Sequence, residues 1–233
     1  MGRYDFTLEM KTRYFSPENI QNEAREMVRR LPGWHAKRYP AFKPEQSALL
    51  VLDMQSYFLE PTSHAFLPSA QAIVPAIKKL VRSYYQHNLP VLFTQHLNNQ
   101  QDAGSMATWW NDLITIENPL SAIIPEFDFS NRYVLRKNQY DAFHGTQLED
   151  ILTNKGVKQV VISGVMTHLC CETTARSAFV RGFEVFFLVD GTATYNAEHH
   201  MASLLNLSQG IAAPVFTTDI DQALEGIPEV NSS

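Results

Sequence analysis

The sequence predicts an α/β fold: a doubly wound, six-stranded, mostly parallel sheet with helices on both faces. Three observations lead there. Six short apolar runs rich in β-branched and aromatic residues recur along the chain, several without strict alternation, as strands covered on both faces should be. Segments of helical period separate them. The spacing between runs is long enough for crossovers that join parallel neighbours. With 233 residues, 45% of them hydrophobic and 18% charged, the chain can bury a substantial core, and one large domain is expected.

The first 45 residues stand apart. SPENIQNEAREMVRRL (16–31) reads as a helix opening at Ser16 or Pro17, and GWHAKRYPAFKPEQ (33–46) follows it. Residues 1–45 are read as an arm that packs on the core or on a neighbouring subunit, and 46–233 as the domain proper. The strands expected are SALLVLD (47–53), PVLFTQH (90–96), RYVLRK (132–137), KQVVISG (158–164), FEVFFLVD (183–190) and APVFTT (213–218). Between them lie amphipathic stretches at 70–88, 146–156, 170–182 and 199–210. The first ends in Asn and the others in Gly, residues that tolerate the left-handed turn closing a helix. No linker, repeat or low-complexity segment breaks the series.

Charge and composition exclude several classes. Nineteen Lys and Arg against 24 Asp and Glu leave a net charge of −5, so there is no basic surplus to neutralise phosphates, and no nucleic-acid partner is expected. No run approaches the roughly 18 apolar residues of a membrane span, and the N-terminus lacks the apolar core of a signal peptide. A soluble, cytoplasmic protein without membrane partners follows as the expectation.

The chain has two cysteines, adjacent at 170 and 171. Neighbours can bridge only through a strained small ring, so thiol chemistry or core filling remain as their uses. In open α/β sheets ligands bind beyond the carboxyl ends of the strands. Strand one ends at Asp53, strand three at Lys137, and strand four runs into GVMTHLCC, just before a helix. Taken singly, an Asp there is usually a turn former, a Lys a solvated edge residue and a Cys a core filler. An acid, a base and a thiol converging on one rim make a catalytic constellation. At the start of a helix, Cys170 is expected to have a lowered thiol pKa, lowered further by a nearby Lys.

These residues also carry a resemblance. DMQ after the first strand, K-x-x-Y-x-A-F-x-x-T after the third and G-V-x-T-H-x-C-x-x-x-T-A-x-x-A at the fourth are similar to the motifs of the isochorismatase-like superfamily of cysteine hydrolases, over residues 45–220. The resemblance implies a six-stranded parallel sheet and a triad of Asp53 as acid/base, Lys137 as assisting lysine and Cys170 as nucleophile. It further implies an oxyanion hole from the backbone N–H groups of Met166 and Cys170, after a cis peptide between Val165 and Met166. Relatives that deamidate nicotinamide hold a metal through an Asp-x-His motif after strand two. This chain has His96 and Asn98 there, so neither a metal nor another cofactor is expected, and nicotinamide deamidation is disfavoured. The retained Cys170 favours covalent attack on a C–N acyl bond of a small amide, carbamoyl or ureido compound. The alternative is isochorismatase-type vinyl-ether hydrolysis, with Asp53 as general acid. A non-catalytic binding protein and a redox role for the paired thiols are the readings outside hydrolysis. Gln55, Phe58, His96, Trp109, Trp110, Tyr140 and Phe143 are the candidate substrate contacts, because small-molecule pockets combine aromatic walls with a few polar groups. The arm and the habit of the family imply a homo-oligomer.

Overall fold

The computed structural model describes residues 11–32, 39–110, 112–127 and 133–226. In chain order the elements are α1 (Ile20–Arg29), β1 (Ser47–Leu52), α2 (Ala70–Gln86), β2 (Val91–His96), β3 (Tyr133–Lys137), α3 (Leu148–Asn154), β4 (Gln159–Val165), α4 (Glu172–Val180), β5 (Glu184–Ala193), α5 (Ala197–Gly210), β6 (Ala212–Val215) and α6 (Thr217–Glu225). The strands form one sheet in the order β3-β2-β1-β4-β5-β6, and every pairing is parallel. From β1 the chain steps to β2 and β3, then crosses to β4 on the other side of β1. Right-handed crossovers in opposite directions put their helices on opposite faces, which is the doubly wound arrangement.

The central strands β1 and β4 are buried at every residue, as continuous apolar runs between two helical layers must be. Helix α2 buries Ile73, Ile77, Leu80 and Tyr84, spaced three or four apart, so one stripe of it packs against β4 and β5. Helices α4 and α5 pack on each other and on β5 and β6. The expected helix closures hold at three of the four sites: Asn88, Gly156 and Gly182 have φ of 56°, 70° and 88°. Gly210 instead stays within α5.

Three element boundaries differ from the sequence reading by three residues or more. The arm helix begins at Ile20 rather than at Ser16 or Pro17, because Ser16–Asn19 form a turn in which the Ser16 N–H is taken by the Asn19 side chain at 2.6 Å. Strand β5 runs on to Ala193, with a register shift against β4 between Ile162 and Gly164. Strand β6 stops at Val215, and Thr217 starts a helix, since Asp190 in the irregular part of β5 accepts both its N–H and its hydroxyl at 2.7 Å. The same carboxylate accepts from Gln21 at 2.9 Å and so ties α1 to the sheet. That helix buries Ile20, Ala24 and Met27, so the described part of the arm packs on this chain's own core.

Candidate active site

The strand order reverses between β1 and β4, and the carboxyl ends of those strands part there to leave a crevice. Asp53 follows β1 in a left-handed turn at φ 50°, a conformation that Asp tolerates better than most residues. Thr94 on β2 fixes it: the Thr94 hydroxyl donates to Asp53 Oδ1 at 2.6 Å and accepts the Asp53 N–H at 3.1 Å. Oδ2 is left to face the cleft.

Lys137 ends β3, two strands away, and its long side chain crosses the end of β2 to reach the same point. Its Nζ lies 2.8 Å from Asp53 Oδ2 and donates to Cys170 Sγ at 3.3 Å and to Gln139 O at 2.9 Å. Both side chains of the ion pair are fully buried. Cys170 lies in a single wide helical turn, Thr167–Cys171, that follows β4 and leads into α4. The peptide between Val165 and Met166, just before that turn, is cis.

Burial is the largest single influence on Asp53 and would raise its pKa, yet the Lys137 ammonium, His96 and the hydrogen bonds from thiol and ammonium together outweigh it and hold Asp53 below its ordinary value. Burial alone would lower the Lys137 pKa; Asp53 and Cys170 reverse that and raise it above its ordinary value. The thiol departs from expectation. Burial, reinforced by the Asp53 charge and only partly opposed by Lys137, pushes the Cys170 pKa up to about 12. A helix start lowers a thiol pKa where the thiol is solvated, and this one is 5% exposed beside an anion. The resting group is therefore carboxylate, ammonium and neutral thiol.

His96 ends β2 between the acid and the lysine. Its Nδ1 is 3.2 Å from Lys137 Nζ and its Nε2 2.7 Å from Asn98 Oδ1, while Asn98 donates through Nδ2 to Asn138 O at 2.8 Å. Burial and the ammonium push its pKa down to about 4. A neutral ring that donates from Nε2 and accepts at Nδ1 satisfies both contacts. Ligand atoms of Asp53, His96 and Cys170 lie within 4.8 Å of one another, a set that could hold a metal ion by composition. The fit fails: the Lys137 ammonium lies within 3.3 Å of all three groups, and both nitrogens of His96 are engaged.

The remaining candidates divide. Trp110 donates from Nε1 to the Tyr140 hydroxyl at 2.7 Å, both half-buried, and Tyr140 is close enough to Cys170 and Lys137 to be coupled to them electrostatically. Trp109 is 78% exposed. Gln55 is wholly buried and spends its amide on main chain, accepting the His96 N–H at 2.8 Å and donating to the carbonyls of His96 and Ser121 at 3.0 and 2.7 Å. Phe58 is buried against Tyr57. Phe143 stacks on Phe183 at 5.9 Å with the Arg181 guanidinium over its ring, among residues at the opposite end of α4 from Cys170. Sequence reasoning missed Thr94, which holds Asp53, and the packing of His168, in the turn that carries Cys170, against Tyr195 and His199. Alternation along β2 puts Thr94 on one face but says nothing about what it meets.

A parallel sheet that brings a carboxylate, an ammonium and a thiol to one buried point at its switch is the construction of an isochorismatase-like hydrolase. The family model for the Isochorismatase domain matches residues 47–220, and this chain belongs to that family. It is 39% identical over 185 residues to Nicotinamidase 3 of Arabidopsis thaliana, covering 77% of this chain and 89% of that protein. Enterobactin synthase component B of Escherichia coli (strain K12) is 31% identical over 186 residues, 77% of this chain and 64% of that one. A cysteine hydrolase structure from Pseudomonas syringae pv. phaseolicola 1448A superposes with a TM-score of 0.76 at 25% identity, covering 79% of this chain and 94% of that chain. The enzyme is a hydrolase of this family, and among its described residues no helix is long and apolar enough to cross a membrane.

Proposed function

We propose that this chain cleaves a C–N acyl bond of a small amide, carbamoyl or ureido compound through a thioester on Cys170. The observation that carries the reading is the buried group in which Lys137 Nζ contacts both Asp53 Oδ2 and Cys170 Sγ. As the sulfur attacks the acyl carbon, its proton passes to Asp53, which is held ionised for that task. The backbone N–H groups of Met166 and Cys170 would face the developing oxyanion. Asp53 returns the proton to the leaving nitrogen, so the amine or ammonia departs and the acyl group stays on sulfur. Water then loses a proton to Asp53, attacks the thioester and frees the carboxylic or carbamic acid with the thiol restored. Lys137 keeps its proton throughout and steadies the carboxylate, and Trp110 and Tyr140 bound the approach.

The name of the plant relative supports amide hydrolysis, while the absence of an Asp-x-His pair at 96–98 argues against a metal-assisted route. Ether hydrolysis would need Asp53 protonated at rest, whereas Lys137 holds it ionised. The test is a panel of nicotinamide, other small amides, carbamoyl and ureido compounds, and isochorismate, on wild type and Cys170→Ala. Loss of at least about a thousandfold in kcat on the preferred compound is expected when the nucleophile goes. Full activity of Cys170→Ala on isochorismate would replace the thioester with acid catalysis by Asp53.

A further inference from the structure

The described arm, residues 11–32, lies outside the matched domain, yet its start runs beside the nucleophile's turn. Thr12 donates its N–H to Tyr195 O at 2.8 Å, and the Lys11 ammonium lies over the Tyr195 ring, 5.3 Å from its centroid. The main-chain N–H groups of Tyr14 and Phe15 both donate to Ser69 Oγ, at 3.0 and 3.1 Å, and Tyr14 O accepts from Asn19 at 3.0 Å. Backbone on both sides of Tyr14 is thus anchored before its ring enters the core.

Inside, the Tyr14 hydroxyl accepts the Thr194 N–H at 2.9 Å and lies 2.8 Å from His200 Nδ1. Burial keeps that imidazole neutral, with its pKa down at about 3, so one of its ring nitrogens can accept a hydrogen and the other carries one. Thr194 is where the sheet opens. Ala193 still pairs with Val165; one residue on, β4 has turned away into Met166 and the nucleophile's turn. The Thr194 N–H goes to the arm, and its hydroxyl bonds to His168 Nδ1, two residues before Cys170. The Thr167 hydroxyl, in the same turn, lies beside the phenol.

We propose that Tyr14 is a positioning residue of this hydrolase: through Thr194 and His168 it sets where Cys170 and its turn stand relative to Asp53, so the arm is a working part of the site. The proposal rests on the reading of Cys170 as nucleophile. A small misplacement of an attacking atom costs rate while leaving ground-state binding almost untouched.

Tyr14→Phe keeps the ring and removes both bonds. On the substrate the panel identifies, kcat should fall about tenfold with KM within about twofold, the pattern of lost orientation. Iodoacetamide labelling of Cys170, followed by mass mapping, should slow by a similar factor. Thr194→Val keeps the N–H to Tyr14 and cuts the link to His168, so it should give the same loss, with no further loss in the double variant. Thr194→Ser should restore the rate. A folded Tyr14→Phe with wild-type kcat and labelling overturns the proposal, as do losses that multiply in the double variant. Should Tyr14→Phe fail to fold, wild-type kcat in Thr194→Val overturns it instead. Labelling needs no substrate: if it slows in Tyr14→Phe while Cys170→Ala stays fully active, the nucleophile reading fails and the positioning geometry stands.

Discussion

At Asp53, Lys137 and Cys170 the ionic state follows from burial acting against two opposite charges a hydrogen bond apart. Removing the Cys170 proton into this crevice would put a second anion beside Asp53, so the thiol stays protonated, up to about pH 12, until it reacts. In the proposed mechanism, proton transfer to Asp53 during attack would make the rate independent of a separate thiolate population. We therefore expect kcat/KM on the preferred substrate to be flat from about pH 6 to 9, with an acid limb only below the usual carboxylate range, because Asp53 is shifted down. A solvated thiol near 8.5 would instead give a rate that climbs about tenfold per unit toward that value. A pH–rate profile separates the two, and such a climb would mean that thiolate forms before substrate meets it. The three residues were legible because each ends or follows a strand read from the sequence. Their protonation was not, since the sequence marks a helix start but not the dryness of the crevice or the carboxylate next to the sulfur. Gln55 and Phe143 show the converse: position after a motif placed them near the site in sequence, and packing turned one to the main chain and the other to Phe183.

Among the elements, β4 does most to bring the acid and the thiol together, and one glycine lets it. Gly164 has φ 105°, and a Cβ there would stand 2.1 Å from Leu52 O, on the residue before Asp53. The two strands that diverge into the crevice thus touch backbone to backbone at its floor. Gly164→Ala is expected to destabilise the fold by more than about 3 kcal/mol, through a clash with main chain as well as an unfavourable φ. Urea titration reads this directly, and wild-type stability would show that β1 and β4 part without loss. The strands and most helices were legible as apolar runs and helical periods; α6 was not. Its start is capped locally by Asp219, which accepts the Phe216 N–H at 3.1 Å, and from a distance by Asp190, which the irregular stretch of β5 turns toward Thr217; the second cap no local pattern encodes.

For the whole molecule, the arm meets the core at a buried neutral histidine, His200, and such histidines set how the fold answers acid. His200, under Tyr14 and Phe15, has its pKa pushed by burial from 6.5 down to about 3, and His96 at the site goes to about 4 through burial and then Lys137. A histidine depressed in the fold binds its proton more readily when unfolded, so its contribution is whole above about pH 6.5 and lost as pH falls toward 3 or 4. Each costs up to about 1.4 kcal/mol per pH unit in that window, and Asp53 adds a loss of the same sign below its ordinary pKa. That the arm would matter to stability was legible in its helix; that it closes over a histidine 186 positions away was not, because only the folded chain brings Tyr14 to α5. His168, lowered by burial to about 4, adds to the same window, so unfolding free energy from urea melts is expected to drop by about 3 kcal/mol between pH 6 and pH 5, and His200→Asn should remove about a third of that slope. A stability flat across that unit would mean that the histidines protonate without leaving their buried places, and that the arm seals the core less tightly than its hydrogen bonds to Thr194 and His200 imply.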